Sequence, residues 1–254
     1  MIIDSHCHIH DEKFNSDRDE VIKRAQDENI THLITIGCDI FTTEKAHAVA
    51  ERYENIYFSA GFHPHEAQFL DDENYQKLRE LAQAKKCVAI GECGLDYYYN
   101  HSKPKEQEAA LVKQIELAHE LGLPLIIHLR DAFVPFMDIM EAHLKEGQKV
   151  LIHCFSGSLE EAHIHIESGF YISLSGIITF KKPGDLPQVA KEIPLEKLLI
   201  ETDCPYLAPL PYRGKRNEPH YIHRTLDAVA QARGETLEII ENQIYQNTLD
   251  FFNI

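Results

Sequence analysis

Short apolar segments alternate along the chain with longer amphipathic segments. The apolar segments are rich in Ile, Val and Leu, and they lack the regular apolar–polar alternation of a strand that faces water on one side. Strands of this composition are covered on both faces, as they are in a parallel sheet. The eight apolar segments, each predicted to be a strand, are residues 2–7, 31–37, 56–61, 88–91, 123–129, 150–154, 170–174 and 198–202.

The segments between these predicted strands have the periodicity of helices. Residues 17–29 begin with acidic residues and carry Val21, Ile22 and Ala25 at helical spacing. Pro104 suits the first turn of a later helix, where a missing N–H group costs nothing. The predicted helices are residues 17–29, 42–53, 72–85, 104–121, 131–146, 158–168, 185–192, 219–232 and 236–250.

The number of strand–helix units predicts the fold class. Eight units in 254 residues are typical of a (β/α)8 barrel, and the last predicted helix is then an extra C-terminal one. The alternative is an open, doubly wound sheet, which normally carries a glycine-rich phosphate loop, and neither common form of that loop occurs in the chain. We therefore predict an α/β protein in which residues 1–254 form a single-domain (β/α)8 TIM barrel.

Charge limits the way in which this chain can bind a partner. It has 25 Lys and Arg against 41 Asp and Glu, a formal net charge of −16. Bulk charge of this sign opposes nucleic-acid binding, so a polyanion would have to be held by a local basic patch or by bound cations. The N-terminal segment has no signal-peptide pattern, and no apolar run reaches the roughly 18 residues of a membrane span. We expect a cytoplasmic protein that does not bind membranes.

Polar residues of metal-binding type lie at the ends of most predicted strands. Burying such residues is costly unless a partner compensates, and a metal centre is a natural partner for a set of them. His6 and His8 are two residues apart on a strand and therefore point to the same face. Glu92 has two carboxylate oxygens and could bridge two ions, and Asp203 could also accept a proton from a metal-bound water. The candidate ligands are His6, His8, Glu92, His128, His153 and Asp203. Taken singly, His128 or His153 could instead be an ordinary core histidine.

A small basic segment stands out against the acidic background. Residues 212–219 follow the eighth predicted strand and contain Arg213, Lys215 and Arg216. These side chains could hold a phosphate, and Arg130 follows the fifth strand in a similar position. A solvated flexible loop is the alternative interpretation. Three tyrosines near strand ends could stack on bases, namely Tyr97, Tyr98 and Tyr206.

The motifs together resemble a known family. In order along the chain they are DSHCH at 4–8, GFHPH at 61–65, GECGLDYYY at 91–99, IIHLRDA at 126–132, HCFSG at 153–157, YISLSGIITFK at 171–181, ETDCPYLAP at 201–209 and RGKRNEP at 213–219. This series is similar to that of the TatD family of metal-dependent deoxyribonucleases. The resemblance implies a TIM-barrel hydrolase with two divalent metal ions at the barrel mouth. It also implies 3′→5′ exonuclease activity, typically on single-stranded DNA and sometimes on RNA.

The resemblance also implies a role for particular residues. The first ion would be held by His6, His8, Glu92 and Asp203, and the second by Glu92, His128 and His153, with Glu92 bridging. Asp203, Glu92 and His63 would be catalytic, and His63 would contact a phosphate oxygen. The remaining candidate substrate contacts are His65, Arg130, Arg213, Lys215 and Arg216. Tyr212 departs from the family pattern, in which His often precedes RGKRN.

Two other functions compete with the nuclease. The same metal ligands can polarise a carbonyl group, so the chain could hydrolyse an ester, a lactone, an amide or an aminoacyl-tRNA linkage. A non-enzymatic protein that binds metal or nucleic acid is the third possibility. The ligand types suit Zn, Mn, Co or Fe, and a weaker Mg site is also compatible with them. We expect a monomer with two divalent ions and single-stranded DNA or RNA as its substrate.

Overall fold

The computed structural model describes residues 1–254 and contains eight strands. The strands are β1 (Ile2–Cys7), β2 (Ile30–Ile36), β3 (Ile56–Ala60), β4 (Cys87–Asp96), β5 (Leu125–Arg130), β6 (Val150–Ile152), β7 (Tyr171–Leu174) and β8 (Leu198–Ile200). They form one sheet in the order β1 to β8. Each of the eight strands predicted from the sequence is present.

A helix follows each strand, and a ninth helix ends the chain. The helices are α1 (Arg18–Asp27), α2 (Ile40–Arg52), α3 (Asp72–Ala82), α4 (Pro104–Leu121), α5 (Phe133–His143), α6 (Leu159–Glu167), α7 (Leu186–Glu192), α8 (Ile222–Arg233) and α9 (Leu237–Phe252). The predicted helices are all present, with ends that differ by a few residues. None of the nine helices combines the length and the apolar character needed to cross a bilayer.

The first and last strands lie side by side. The Ser5 hydroxyl of β1 donates a hydrogen bond of 2.9 Å to the Ile200 carbonyl of β8, and the backbone N–H of Asp203 donates to the carbonyl of His6 at 2.9 Å. A parallel sheet whose first strand lies against its last, with a helix after every strand, is a (β/α)8 barrel. The predicted fold class, including the additional C-terminal helix, is therefore the observed one.

The chain contacts divide the molecule into two compact units, Met1–Thr35 with Cys154–Ile254, and Ile36–His153. In the first unit, the apolar face of α9 packs on β1 and β8. The buried Asn247 side chain donates to the carbonyls of Leu195 and Leu198 at 2.6 and 2.9 Å, which fixes the start of β8 against this helix. That residues 1–254 form a single domain stays a prediction.

In the second unit, two buried glutamines of α4 fix the ends of neighbouring strands. Gln114 accepts from the Phe62 backbone N–H at 2.7 Å and donates to its carbonyl at 3.1 Å, just after β3. Gln107 makes the same pair of bonds with Asp96 at the end of β4, at 2.8 and 3.1 Å. Buried amides that replace the sheet's own hydrogen bonds in this way hold the strand ends in one conformation.

The fourth strand is longer than the residues 88–91 predicted for it. β4 continues to Asp96, and its pairing with β5 shifts register between Ile90 and Cys93 before it resumes. Gly91 has a φ of 141°, a backbone conformation that side chains other than glycine rarely adopt. A Cβ atom at that position would lie 2.4 Å from the Ile126 carbonyl oxygen. Gly91 therefore does not end the strand, as the sequence predicts, but allows an irregularity within it.

Candidate functional site

Three of the predicted ligands come together in the first unit. His6 lies near the end of β1 with its side chain fully buried, and His8 is the first residue after this strand. Their Nε2 atoms lie 3.6 and 3.3 Å from Oδ1 of Asp203. Two backbone hydrogen bonds hold this arrangement, from Asp203 N to His6 O at 2.9 Å and from His8 N to Cys204 O at 2.7 Å. We call His6, His8 and Asp203 the first donor set.

A buried carboxyl group supports the first donor set without belonging to it. Asp4 accepts hydrogen bonds from the backbone N–H and the hydroxyl of Thr202, and from the backbone N–H of His6 at 3.3 Å. Burial raises the pKa of Asp4 to about 8, although the bonds from Thr202 act in the opposite direction. This side chain therefore ties the end of β1 to the segment after β8, which carries Asp203.

The remaining predicted ligands come together in the second unit. Three imidazole nitrogens converge on one oxygen of Glu92, Oε1: His63 Nε2 at 3.4 Å, His128 Nδ1 at 3.0 Å and His153 Nε2 at 2.8 Å. Glu92 is almost completely buried. We call Glu92, His128 and His153 the second donor set, with His63 beside it.

Electrostatics keep Glu92 ionised despite its burial. Burial by itself raises the pKa of a carboxyl group. The interactions of Glu92 with the surrounding imidazoles of His153, His63 and His128 outweigh this effect and hold the pKa of Glu92 well below its usual range. A buried carboxylate ringed by imidazoles is an N/O ligand set, which suits Zn and other divalent transition metals. The residues of both donor sets therefore fit the metal ions that the sequence predicts.

His63 differs from the other two imidazoles in its hydrogen bonds. The backbone N–H of His65 donates to His63 Nδ1 at 3.1 Å. Burial lowers the pKa of His63 to about 4, so the ring is neutral at pH 7 and carries its single proton on Nε2. A protonated nitrogen is a hydrogen-bond donor and not a metal ligand. This supports the sequence interpretation that His63 donates to a phosphate oxygen, which stays a prediction.

Asp96 is a site residue that the sequence analysis did not single out. Its Oδ2 lies 3.1 Å from Nε2 of His128 and 2.9 Å from Nε2 of His65, and its side chain is buried. A ligating histidine usually donates its other N–H to a carboxylate, which fixes the orientation of the ring. Burial lowers the pKa of His128, but the bonds to Asp96 and Glu92 outweigh this and raise it. Strand alternation could have found Asp96, because it shares a face with Glu92 once β4 is extended.

Two arginines among the predicted phosphate contacts differ in their partners. Arg216 is held by carboxylates: its guanidinium donates to both oxygens of Asp17 at 2.8 and 2.6 Å and to Glu218 at 3.0 Å. Arg213 lies over the ring of Phe180, with Cζ 4.0 Å from the ring centroid, and forms no ion pair. Arg216 therefore anchors residues 212–219, which we call the basic loop, to the start of α1. Arg213 keeps its charge available for an anion.

We expect these two arginines to respond differently to truncation. Arg216→Ala leaves the half-buried Asp17 carboxylate without its main partner and should lower the free energy of unfolding by about 1 to 2 kcal/mol. Arg213→Ala serves as the matched control and should change the free energy by less than about 0.5 kcal/mol. Urea unfolding followed by circular dichroism measures both values. Equal losses of stability in the two variants would contradict the distinction between an anchoring and a free arginine.

Comparisons with known proteins agree on one family. The sequence model described as TatD related DNase matches residues 3–253. YabD of Bacillus subtilis (strain 168), described as an uncharacterized metal-dependent hydrolase, is 39% identical over 254 residues, which cover 100% of both chains. TatD of Cronobacter sakazakii, described as a 3′-5′ ssDNA/RNA exonuclease, is 40% identical over 240 residues, or 92% of this chain and 91% of that relative.

The structural comparison supports the fold. The crystal structure of YJJV, a TatD homolog from Escherichia coli K12, superposes with a TM-score of 0.94 at 28% identity and covers 100% of this chain and 98% of that one. A TatD family hydrolase from Entamoeba histolytica has a TM-score of 0.91 at 24% identity, covering 99% and 97% of the two chains. These likenesses span the whole length and confirm the predicted fold class.

Proposed function

The chain belongs to the TatD related DNase family of metal-dependent hydrolases, and from this premise we propose that it removes nucleotides from the 3′ end of single-stranded DNA or RNA. The proposed enzyme uses two divalent metal ions, one at each donor set. One chain supplies both sets, so we propose that a monomer is the working unit. The exonuclease description of the Cronobacter relative supports the choice of bond and substrate.

The observation that carries this proposal is the convergence of three imidazole nitrogens on Glu92 Oε1, all within 3.4 Å. So many titratable groups around one buried carboxylate would serve no purpose in an apolar core, since each has to be desolvated. Divalent ions bound at sites of this kind lower the pKa of water and stabilise the charge that develops at phosphorus.

The chain's own residues supply the remaining chemistry. The Asp203 carboxylate orients the attacking water and accepts its proton, as a general base does. His63 donates its Nε2 proton in a hydrogen bond to a phosphate oxygen, and this N–H is already directed towards the second donor set. Asp96 holds the His128 ring in one orientation through Nε2 at 3.1 Å. These three groups are positioned before any substrate arrives, which lowers the reorganisation that the reaction requires.

Local positive charge brings the substrate to an acidic protein. The formal net charge of −16 repels nucleic acid at long range. Arg213 has no carboxylate partner, and we propose that it binds the phosphate backbone together with Lys215. The anchored Arg216 holds the loop that presents them. Few phosphate contacts predict moderate affinity with little sequence preference.

A metal-reconstitution experiment tests the proposed function. The protein is stripped of metal, supplied with Mg²⁺ or Mn²⁺, and incubated with a 5′-labelled single-stranded DNA oligonucleotide. We expect a ladder of products that shorten from the 3′ end with metal and no cleavage without it, because each donor set lacks catalytic power by itself. The absence of cleavage by folded, metal-loaded protein would contradict the proposal. Lactones and aminoacyl-tRNA would then be the substrates to examine.

A further inference from the structure

Two large aromatic side chains are exposed beside the second donor set. Tyr98 and Tyr99 lie in the turn after β4, and 58% and 53% of their surfaces are exposed. Their rings pack edge to face with centroids 4.8 Å apart. Adjacent exposed aromatic rings next to buried metal-binding groups are typical of a ligand-binding surface, since the rings bring apolar area that water solvates poorly.

An arginine without a carboxylate partner lies over both rings. The Arg130 Cζ is 4.0 Å from the Tyr98 centroid and 4.8 Å from the Tyr99 centroid. Arg130 is two residues after His128 on β5 and is paired with Asp96 in the sheet register. The guanidinium therefore has its position set by stacking and keeps its N–H groups available for phosphate oxygens. We call Tyr98, Tyr99 and Arg130 the aromatic platform.

One buried carboxylate connects the aromatic platform to the second donor set. Asp96 Oδ1 accepts hydrogen bonds from the backbone N–H groups of Tyr98 and Tyr99 at 3.0 and 2.9 Å. The other oxygen, Oδ2, bonds to His128 at 3.1 Å. The turn that carries the tyrosines and the His128 imidazole, which would hold a metal ion, are therefore fixed to the same side chain.

We propose that the aromatic platform stacks on the unpaired base of the 3′-terminal nucleotide and so selects single-stranded ends. The ligand is a nucleobase with an adjacent phosphate, because the platform offers aromatic faces for the base and a free guanidinium for the charge. A base that remains paired and stacked in a duplex cannot present its face to Tyr98 and Tyr99. This inference rests on the proposed exonuclease function and specifies how that site recognises its substrate.

The first test compares two changes that remove the same contact. Wild type and a Tyr98→Ala/Tyr99→Ala variant cleave two single-stranded oligonucleotides with Mn²⁺, one natural and one whose 3′-terminal residue is an abasic tetrahydrofuran. Loss of a stacked base should lower kcat/KM roughly tenfold, mainly through KM. We expect this loss for wild type on the abasic substrate and for the variant on the natural one, with no further loss when both changes are combined.

Two further variants separate stacking from folding. Tyr98→Phe/Tyr99→Phe keeps both ring faces and should restore the roughly tenfold preference for the natural over the abasic end that the double alanine variant loses. Tyr53→Ala removes the ring from another arginine–tyrosine pair, in which the Arg52 Cζ lies 5.1 Å from the Tyr53 centroid at the C-terminal end of α2. This matched control should retain the roughly tenfold preference for the natural over the abasic end.

A fluorescence measurement reports the stack directly. The oligonucleotide carries 2-aminopurine as its 3′-terminal base and a phosphorothioate at the last linkage to slow cleavage. Wild type should quench the probe on binding, and the double alanine variant should not. If the loss in kcat/KM from the variant and the loss from the abasic substrate multiplied when combined, the proposed role of the aromatic platform would be wrong. Equal quenching by both proteins would have the same meaning. Neither result would contradict the proposed exonuclease function. If wild type cleaves no oligonucleotide with any metal, the proposed function fails as well.

Discussion

Replacement of Asp203 by Asn is expected to lower kcat by a factor of about 10² to 10⁴, with a far smaller change in the affinity for nucleic acid. The amide has nearly the same shape as the carboxylate but cannot accept a proton from water. It also contributes less charge to the first donor set, where the Nε2 atoms of His6 and His8 lie 3.6 and 3.3 Å from Asp203 Oδ1. The proposed substrate contacts from the basic loop and from His63 remain, so KM should change little.

Two measurements accompany the Asp203 experiment. The metal content of the variant must be determined, because loss of an ion and loss of a base both lower kcat. Activity that stays low at saturating metal, with the ions bound, identifies the loss of the proton acceptor. Asp138→Asn is the matched control, since Asp138 is exposed on α5 and forms no ion pair. A near wild-type kcat in the Asp203 variant would remove the proposed general base from the mechanism.

Replacement of Glu92 by Gln is expected to abolish metal binding at the second donor set and to lower kcat/KM by at least about 10³-fold. Three imidazole nitrogens lie within 3.4 Å of its Oε1 atom, so the carboxylate is the common centre of the set. The neutral amide attracts a divalent cation far less than the carboxylate does. Breaking one partner of a buried charge pair typically costs about 3 to 5 kcal/mol, so we also expect a lower melting temperature in the metal-free state.

Metal stoichiometry decides the Glu92 prediction. Equilibrium dialysis followed by elemental analysis gives the number of ions per chain for wild type, Glu92→Gln and Glu141→Gln. The last is a matched control, because Glu141 is exposed on α5 and forms no ion pair. We expect the Glu92 variant to retain fewer ions than the control, while circular dichroism shows the same secondary structure. Full metal occupancy together with unchanged activity would show that Glu92 is not a ligand.

Much of the fold could be predicted because its pattern is local. Strands buried on both faces appear in the sequence as short apolar runs, and the helices between them carry apolar residues at helical spacing. All eight strand–helix units could therefore be counted from the sequence. β4 is the exception. Gly91 interrupts its apolar run and has a φ of 141°, and the strand continues beyond it only because the pairing with β5 resumes at Cys93. Whether a glycine ends a strand or bends it depends on a neighbouring strand.

The candidate ligands were also predictable, because His, Glu and Asp after apolar strands are costly to bury and therefore informative. The role of each residue could not be predicted in the same way. His63 and His128 are both histidines at strand ends, but a backbone N–H fills Nδ1 of His63, whereas both ring nitrogens of His128 face carboxylates. The same limit applies to the basic loop. Arg213 and Arg216 are three residues apart in one basic run, and they differ because Arg216 alone pairs with the carboxylates of Asp17 and Glu218.

The sequence by itself therefore determined the fold class and the order of the elements and indicated candidate metal ligands, because periodicity and the cost of burying polar groups act on each segment separately. Tertiary structure alone decided which nitrogen carries a proton, which arginine is free and which carboxylate orients His128. Those properties depend on hydrogen bonds between residues far apart in the chain, such as the bond that joins Asp96 to His128 at 3.1 Å. A hydrogen bond is set by distance and angle in space, and neither is encoded by spacing along the chain.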